Sequence, residues 1–172
     1  MNSVKDLRTM AGSMSASDFI RQLGPFALIQ RPTDEVASKM AVRLAAGRTL
    51  LADRMPSSRG VSILLEFDEL DVATLPPLSE SAVLTVGRLP DSDLVVEDPS
   101  VSKRHAVVRW DATKRRCSVK DLASMNGTLV NGSRIEQATL LRDSDLISFG
   151  DAQFLFLQSD TLYVKLKAPR RR

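Results

Sequence analysis

The sequence predicts a mainly β fold, a β-sandwich preceded by a short α-helical N-terminal extension. Beyond about residue 60, apolar and polar residues alternate with the period of two that is typical of strands. Ala106, Val108 and Trp110, for example, share one face of a predicted strand. Turn-forming pairs such as Asn126-Gly127 and Asn131-Gly132 separate short apolar runs at close, regular spacing. Many short strands with such turns between them indicate a sandwich.

The composition is that of a soluble domain with one core. The chain has 172 residues, of which 43% are hydrophobic, and its formal net charge is only +3. So small a charge does not by itself indicate a nucleic-acid-binding protein. The N-terminus lacks the apolar run of a signal peptide, and no stretch approaches the roughly 20 apolar residues that span a bilayer. We therefore expect a cytoplasmic protein without a membrane partner.

Residues 1–60 are predicted to form a helical N-terminal extension and a linker. A first helix is expected to begin at Ser15 or Ser17, whose hydroxyls suit an N-cap, and to end near Leu23. A second is expected from about Thr33 to Ala46, where apolar residues recur at helical spacing and form one stripe. That stripe needs a partner surface, either in this chain or on another protein.

The β-sandwich is predicted over residues 61–166, and residues 167–172 are predicted to be a basic C-terminal tail. Short apolar runs bounded by Gly, Pro, Asn and Asp define the strands. The predicted strands are Val61–Phe67, Asp71–Leu75, Val83–Gly87, Asp93–Val96, His105–Trp110, Arg116–Asp121, Thr128–Val130, Leu146–Phe149, Gln153–Leu157 and Leu162–Leu166.

An ordered set of motifs begins at residue 87. The motifs are Gly87-Arg88, Ser102-Lys103-Arg104-His105, Ser124-Met125-Asn126-Gly127-Thr128, Asn131-Gly132 and Asp143-Ser144-Asp145, the last followed by an apolar strand and Phe149-Gly150. This set resembles the forkhead-associated (FHA) family in its order and spacing. The resemblance covers about residues 61–166. It implies a Greek-key β-sandwich of about eleven strands, with loops at one end that bind a phosphothreonine.

The resemblance assigns the phosphate contacts to three residues. Arg88 would contribute its guanidinium, Ser102 its hydroxyl, and Lys103 its ammonium group or its backbone N–H. The chemistry suits the ligand, because a phosphate monoester carries close to two negative charges and three acceptor oxygens. Charged donors on rigid supports bind such a group through charge-assisted hydrogen bonds.

The resemblance assigns contacts with the rest of the peptide to neighbouring positions. Asn126 would hold the peptide backbone, and Arg104 would contact residues beyond the phosphothreonine. Met125 departs from the family, which often has Thr or Ser there to help bind the phosphate. Without that hydroxyl, binding is expected to weaken by about 0.5–1.5 kcal/mol, the net worth of one hydrogen bond.

The remaining motif residues are expected to be structural. His105, the only histidine, would brace the loop, and glycine and asparagine turns would set the backbone geometry. No nucleophile elbow and no acid placed to orient the imidazole accompany His105, so we expect no catalytic residue. One His and one Cys do not make a structural zinc site, and we expect no metal and no cofactor. The structural motif residues are Gly87, His105, Gly127, Asn131 and Gly132.

The leading hypothesis is therefore a non-enzymatic signalling adaptor that binds phosphothreonine in a Ser/Thr kinase pathway. Its partner would be a kinase or a kinase substrate. The alternative is a phospho-independent interaction or oligomerisation module with a weakened phosphate site, which Met125 and the apolar stripe of residues 33–46 suggest. Nucleic-acid binding through the basic C-terminal residues is the weakest hypothesis, because short basic tails commonly serve solubility. The partner's identity and the preferred flanking residues stay open.

Overall fold

The computed structural model describes residues 2–31, 61, 64–65, 67–68, 70–74 and 82–169. The described residues form two β-sheets and a layer of α-helices. The elements are β1 Asn2–Ser3, α1 Val4–Ser13, α2 Ala16–Leu23, β2 Phe26–Gln30, β3 Asp71–Thr74, β4 Val83–Gly87, β5 Leu94–Val95, β6 Ala106–Asp111, β7 Arg116–Asp121, β8 Thr128–Val130, β9 Ser133–Arg134, β10 Thr139–Leu141, β11 Leu146–Phe149, β12 Ala152–Gln158 and α3 Ser159–Lys167.

Two sheets pack face to face. The larger sheet has the strand order β1-β3-β2-β12-β11-β8-β9, and the smaller has the order β10-β7-β6-β4-β5. Every pair is antiparallel except β4 with β5. Alternate residues of each strand point into the space between the sheets, so that Val108 and Val119 of the smaller sheet pack in one cluster with Phe154 and Phe156 of the larger. The predicted mainly β, two-sheet fold is confirmed.

A helical layer covers the outer face of strands β3, β2 and β12 in the larger sheet. In β2 and β12, one set of alternate residues faces the inner core, whereas Ala27, Ile29, Leu155 and Leu157 belong to a second apolar cluster with the three helices. A strand that is buried on both faces reads as a continuous apolar run. The sequences Phe-Ala-Leu-Ile of β2 and Phe-Leu-Phe-Leu of β12 have this character.

Local sequence explains where the first helices begin. The Ser3 hydroxyl accepts a hydrogen bond from the Asp6 backbone N–H, and the Asp6 carboxylate accepts one from the Ser3 backbone N–H, which completes a capping box at α1. The Ser15 hydroxyl caps α2 by accepting a hydrogen bond from the Asp18 backbone N–H, and Gly24 ends the helix. The predicted helix from Ser15 to Leu23 is confirmed, whereas α1 was not predicted. The helix predicted from Thr33 to Ala46 lies outside the described residues.

Two of the predicted strands are wrong. In the segment Val61–Phe67, the Leu65 N–H donates to the Val61 carbonyl at 3.1 Å, the four-residue step of a helical turn. The segment Leu162–Leu166 belongs to helix α3. Its apolar residues alternate, but Leu162 and Leu166 are also four apart and are buried on one helix face, while Val164 between them is 68% exposed.

The description of residues 1–60 as a helical extension needs one correction. Residues 26–30 form β2, which lies inside the larger sheet between β3 and β12. Its register pairs Leu28 with Phe156 and Ala27 with Thr74. Although the domain boundary at residue 60 stays a prediction, the N-terminal segment contributes an internal strand to the larger sheet of the sandwich.

Candidate functional site

Three turns meet at one end of the sandwich. They are the turn after β4, the loop before β6 and the loop between β7 and β8. The Arg88 N–H donates to the Ser102 carbonyl at 3.1 Å, the His105 N–H donates to Val86 at 2.9 Å, and the Leu122 N–H donates to His105 at 2.9 Å. These backbone contacts hold the three turns in a fixed register.

Gly87 is the point of closest approach between two of these turns. A Cβ atom at this position would lie 2.2 Å from the carbonyl oxygen of Lys103, which is closer than real Cβ contacts. Only glycine therefore lets the 102–104 loop lie against the end of β4. Arg88 follows directly, and its side chain is exposed beside that loop.

The Ser102 hydroxyl connects the second turn to the third. Its oxygen accepts a hydrogen bond from the Met125 backbone N–H at 2.9 Å. A hydroxyl has one donor besides its acceptor lone pairs, so the Ser102 O–H is left to donate to a ligand. The Met125 side chain takes no part in this contact and is 87% exposed.

His105 is fully buried, and its ring links the same two loops on their core side. Its Nδ1 accepts the Ser102 N–H at 3.0 Å, and its Nε2 lies 3.2 Å from the Gly127 carbonyl. This pattern assigns the neutral ring with the proton on Nε2, because Nδ1 faces a donor. Burial lowers the pKa of His105, although the Gly127 carbonyl and the charge of Asp121 act in the opposite direction.

Asp121 organises the third turn, and the sequence reasoning missed it. Its carboxylate accepts hydrogen bonds from the Ser124 hydroxyl at 2.6 Å, the Ser124 N–H at 2.9 Å and the Thr128 hydroxyl at 2.7 Å. Burial acts to raise the pKa of Asp121, but these hydrogen bonds outweigh it and the pKa lies below its usual value. An Asp at a strand end three residues before a Ser is a signal that indicates such a turn.

The Asn126 side chain makes one hydrogen bond and has further polar groups that can bind a ligand. Its side-chain N–H donates to the Ser100 carbonyl at 2.8 Å, which leaves a second N–H and the amide oxygen. Ser100 is itself fixed, because its hydroxyl donates to Asp98 at 2.6 Å and accepts the Asp151 N–H at 2.8 Å. The exposed amide is therefore held in one orientation beside Ser102 and Met125.

Arg88, Lys103 and Arg104 are exposed cations on these turns. Arg104 forms an ion pair with Asp91 at 3.3 Å, which ties it to the turn after β4. The structure thus places all six predicted binding residues on the three turns, from Arg88 through Ser102, Lys103 and Arg104 to Met125 and Asn126.

Asn131 and Gly132 form the turn between β8 and β9. Both have positive φ, +52° and +80°, a geometry that asparagine and glycine tolerate best. The Asn131 side chain donates to Asp145 at 2.8 Å and accepts the Leu146 N–H at 2.9 Å, which fixes the turn to β11. Gly127 also has positive φ, +81°, and its carbonyl faces His105.

The part of the chain that the structure describes also bears on metal binding and on membrane insertion. No group of three or more His, Cys, Asp or Glu side chains there is arranged to hold a metal ion. In the same ranges, no helix is both long and apolar enough to cross a bilayer. Cys117 is buried in the inner core, where burial raises the pKa of its thiol to about 12, so it packs as a small core residue.

Known proteins share this sequence pattern. Residues 84–150 match the family model of the FHA domain. The transcriptional regulatory protein EmbR of Mycobacterium tuberculosis is 33% identical over 137 residues, which is 80% of this chain and 34% of EmbR. The glycogen accumulation regulator GarA of the same organism is 36% identical over 80 residues, which is 46% of this chain and 48% of GarA. The chain therefore spans about a third to a half of the length of these relatives.

Among solved structures, M. tuberculosis EmbR in complex with a low-affinity phosphopeptide is 28% identical, with a TM-score of 0.45, over 74% of this chain and 32% of EmbR. An FHA domain studied for its phosphothreonine-dependent interactions is 30% identical, with a TM-score of 0.45, over 51% of this chain and 83% of that domain. The family match coincides with the strands and turns that build the candidate site. Through residues 84–150, the chain belongs to the FHA domain family.

Proposed function

We propose that the chain binds phosphothreonine in partner proteins, as a cytoplasmic, non-enzymatic adaptor in a Ser/Thr kinase pathway. The observation that carries this proposal is the convergence of Arg88, Ser102 and Asn126, which come from three separate turns. Direct hydrogen bonds join those turns, from Arg88 to Ser102 and from Met125 to Ser102. The turns that carry a guanidinium, a hydroxyl and an amide thus lie side by side at one end of the sandwich, which supports the proposal.

The phosphate would be bound by converging donors. Arg88 and Lys103 supply positive charge, and the Ser102 O–H supplies a neutral donor whose direction the Met125 N–H fixes from behind. Each hydrogen bond that involves a charged group contributes about 1.5–3 kcal/mol. Unphosphorylated threonine offers neither the charge nor the acceptors, so it would not replace the phosphorylated residue.

Asn126 would set the register of the bound peptide. Its amide oxygen and second N–H match the donor and acceptor of a peptide backbone, and its bond to Ser100 keeps the amide plane fixed. Pre-organisation of this kind reduces the entropy lost on binding. The partner would be a Ser/Thr kinase or one of its substrates.

Calorimetry with paired phosphorylated and plain threonine peptides tests the proposal. We expect binding of the phosphorylated form only, loss of most of the affinity in Arg88→Ala, and weaker binding at high salt because the contact is electrostatic. Arg116→Ala is the matched control, since Arg116 is an exposed arginine at the far end of the β6–β7 hairpin, opposite Asp111. Equal affinity for the two peptide forms would refute the proposal.

A second candidate is a phospho-independent interaction module, which the exposure of Met125 favours. An apolar side chain that is 87% exposed at the tip of the third turn offers contact area to a protein that carries no phosphate. In this case, Arg88→Ala would keep its partners in pull-downs, and Met125→Lys would lose them. The opposite pattern would support phosphothreonine binding.

A further inference from the structure

Arg134 brings a fourth exposed cation to the candidate site. It ends the short strand β9, which pairs with β8 in the register Leu129 with Arg134. Its guanidinium lies over Gly127, since a Cβ atom built on that glycine would be 2.6 Å from the Arg134 Cζ and 2.9 Å from Nη2. Gly127 follows Asn126 directly, so the guanidinium is next to the residue proposed to hold the peptide backbone.

The position of Arg134 is set by the backbone around it. Gly127 has no side chain and a φ of +81°, and the space above it is taken by the planar guanidinium. The neighbouring Ile135 N–H donates to the Thr128 carbonyl at 3.0 Å, which holds β9 against the strand that begins after Gly127. A guanidinium that rests on backbone loses less conformational freedom on binding than one on a free stem.

The charge of Arg134 is available to a ligand. The residue is exposed, and none of the ion pairs found among the described residues involves it. Arg104, by contrast, is paired with Asp91. Within the described ranges, β9 is also the edge strand of the larger sheet, so no described strand covers it. The planar fork of an arginine matches a carboxylate in a bidentate pair.

We propose that Arg134 determines flanking specificity by binding an acidic side chain of the phosphopeptide. This inference rests on the proposed function. The phosphate would lie by Arg88 and Ser102, and the peptide backbone would pass Asn126. A carboxylate on the part of the peptide that leaves the phosphothreonine past Asn126 would then face the Arg134 guanidinium. The preferred ligand class is therefore an acidic phosphothreonine peptide.

A peptide scan separates this role from a structural one. Calorimetry would use one phosphothreonine peptide with Asp or Ala placed in turn at each of the three positions on either side. In the wild type, we expect Asp to raise the affinity by about 1.5- to fivefold at one or two neighbouring positions. Arg134→Gln should abolish that gain, so that it binds the Asp and all-Ala peptides with equal affinity. Arg116→Gln, with the same change of charge far from the turns, should keep the gain.

Three outcomes would count against the inference. It fails if Asp gives no gain at any position, or if the gain persists in Arg134→Gln. It also fails if Arg134→Gln weakens the Asp and Ala peptides by the same factor, because that result assigns Arg134 to support of the Gly127 turn alone. Binding that ignores the phosphate in every variant would overturn the proposed function and this inference together, and the plain-threonine peptide distinguishes that case.

Discussion

The hydroxyl oxygen of Ser102 accepts the backbone N–H of Met125 at 2.9 Å, and this contact joins the two loops that carry most of the candidate site. The loop before β6 supplies the hydroxyl, and the loop between β7 and β8 supplies the donor. The relationship gives Ser102 two functions, because the same atom that steadies one loop can donate its proton to a ligand.

Removal of that hydroxyl should therefore affect both binding and stability. In Ser102→Ala, we expect phosphopeptide affinity to fall by about 1.5–3 kcal/mol, since a bond to a charged phosphate is lost. The free energy of unfolding should fall by about 1 kcal/mol, because the Met125 N–H loses its partner. Calorimetry measures the first effect and urea unfolding the second. Unchanged affinity alongside reduced stability would show that Ser102 serves the loop alone.

A hydroxyl at position 125 should strengthen binding. Met125→Thr supplies the donor that the family often has at this position, and the Met125 N–H already places the residue against Ser102. We expect affinity for the phosphorylated peptide to rise by at least about 0.5–1.5 kcal/mol, the net contribution of one neutral hydrogen bond, because the phosphate charge can only add to it. Met125→Val is the control, because it has the shape of threonine without the hydroxyl. An equal gain in both variants would contradict the prediction.

Stability should fall on acidification through the titration of His105. Its folded pKa is below the ordinary value of 6.5, chiefly through burial, so the unfolded chain binds the proton more readily. The free energy of unfolding should be constant above pH 6.5 as far as His105 is concerned. Below 6.5 it should fall, by at most about 1.4 kcal/mol for each pH unit, until the pH passes the folded pKa.

Urea unfolding between pH 5 and 8 measures this dependence. His105 is the only histidine in the chain, so no other imidazole titrates in this pH range. His105→Gln keeps a side chain that can accept the Ser102 N–H but does not titrate, so its unfolding free energy should lose this slope. Identical slopes for the two proteins would show that His105 does not cause the dependence.

Ser144 holds a backbone conformation that favours glycine. Its φ is +71°, and its N–H donates to the Phe156 carbonyl at 2.9 Å, so the turn between β10 and β11 cannot relax without loss of that bond. A left-handed residue with a Cβ costs about 1–2 kcal/mol. Glycine avoids this cost, but its larger conformational entropy in the unfolded state offsets part of the gain. We expect Ser144→Gly to raise the free energy of unfolding by about 0.5–1 kcal/mol. Ser144→Ala, which keeps the Cβ, should show no such gain.

The strands and turns from residue 71 to 157 could largely be predicted because each is encoded locally. Period-two alternation defines strands such as β6 and β7, and Asn131-Gly132 defines a turn. Alternation does not identify strand β2, since it is buried on both faces, and a short apolar run of this kind fits a buried helix as well as a strand. Helix α3 was read as a strand because residues two and four apart, such as Leu162 and Leu166, fit both periods.

The site was predictable where residue type carries the chemistry. Arg88, Ser102 and Asn126 offer charge and hydrogen bonds, and the structure brings their turns together. The hydrogen bonds of Asp121 with Ser124 and Thr128 were missed, because only the folded turn brings these two residues to the carboxylate. Arg134 was missed for a related reason, since only the pairing of β9 with β8 brings it over Gly127.

Strands β2 and β12 of the larger sheet are buried on both faces, and this limits where the chain can be truncated without exposing apolar residues. A fragment that begins at residue 61 or 84 would lack β2, which joins β3 to β12. It would leave β12 with an open hydrogen-bonding edge, and it would uncover Leu155 and Leu157 on the face that α1 and α2 protect. Exposed apolar edges of this kind promote association. Such a truncation should therefore elute as aggregates in gel filtration, although it would retain every residue of the FHA family match.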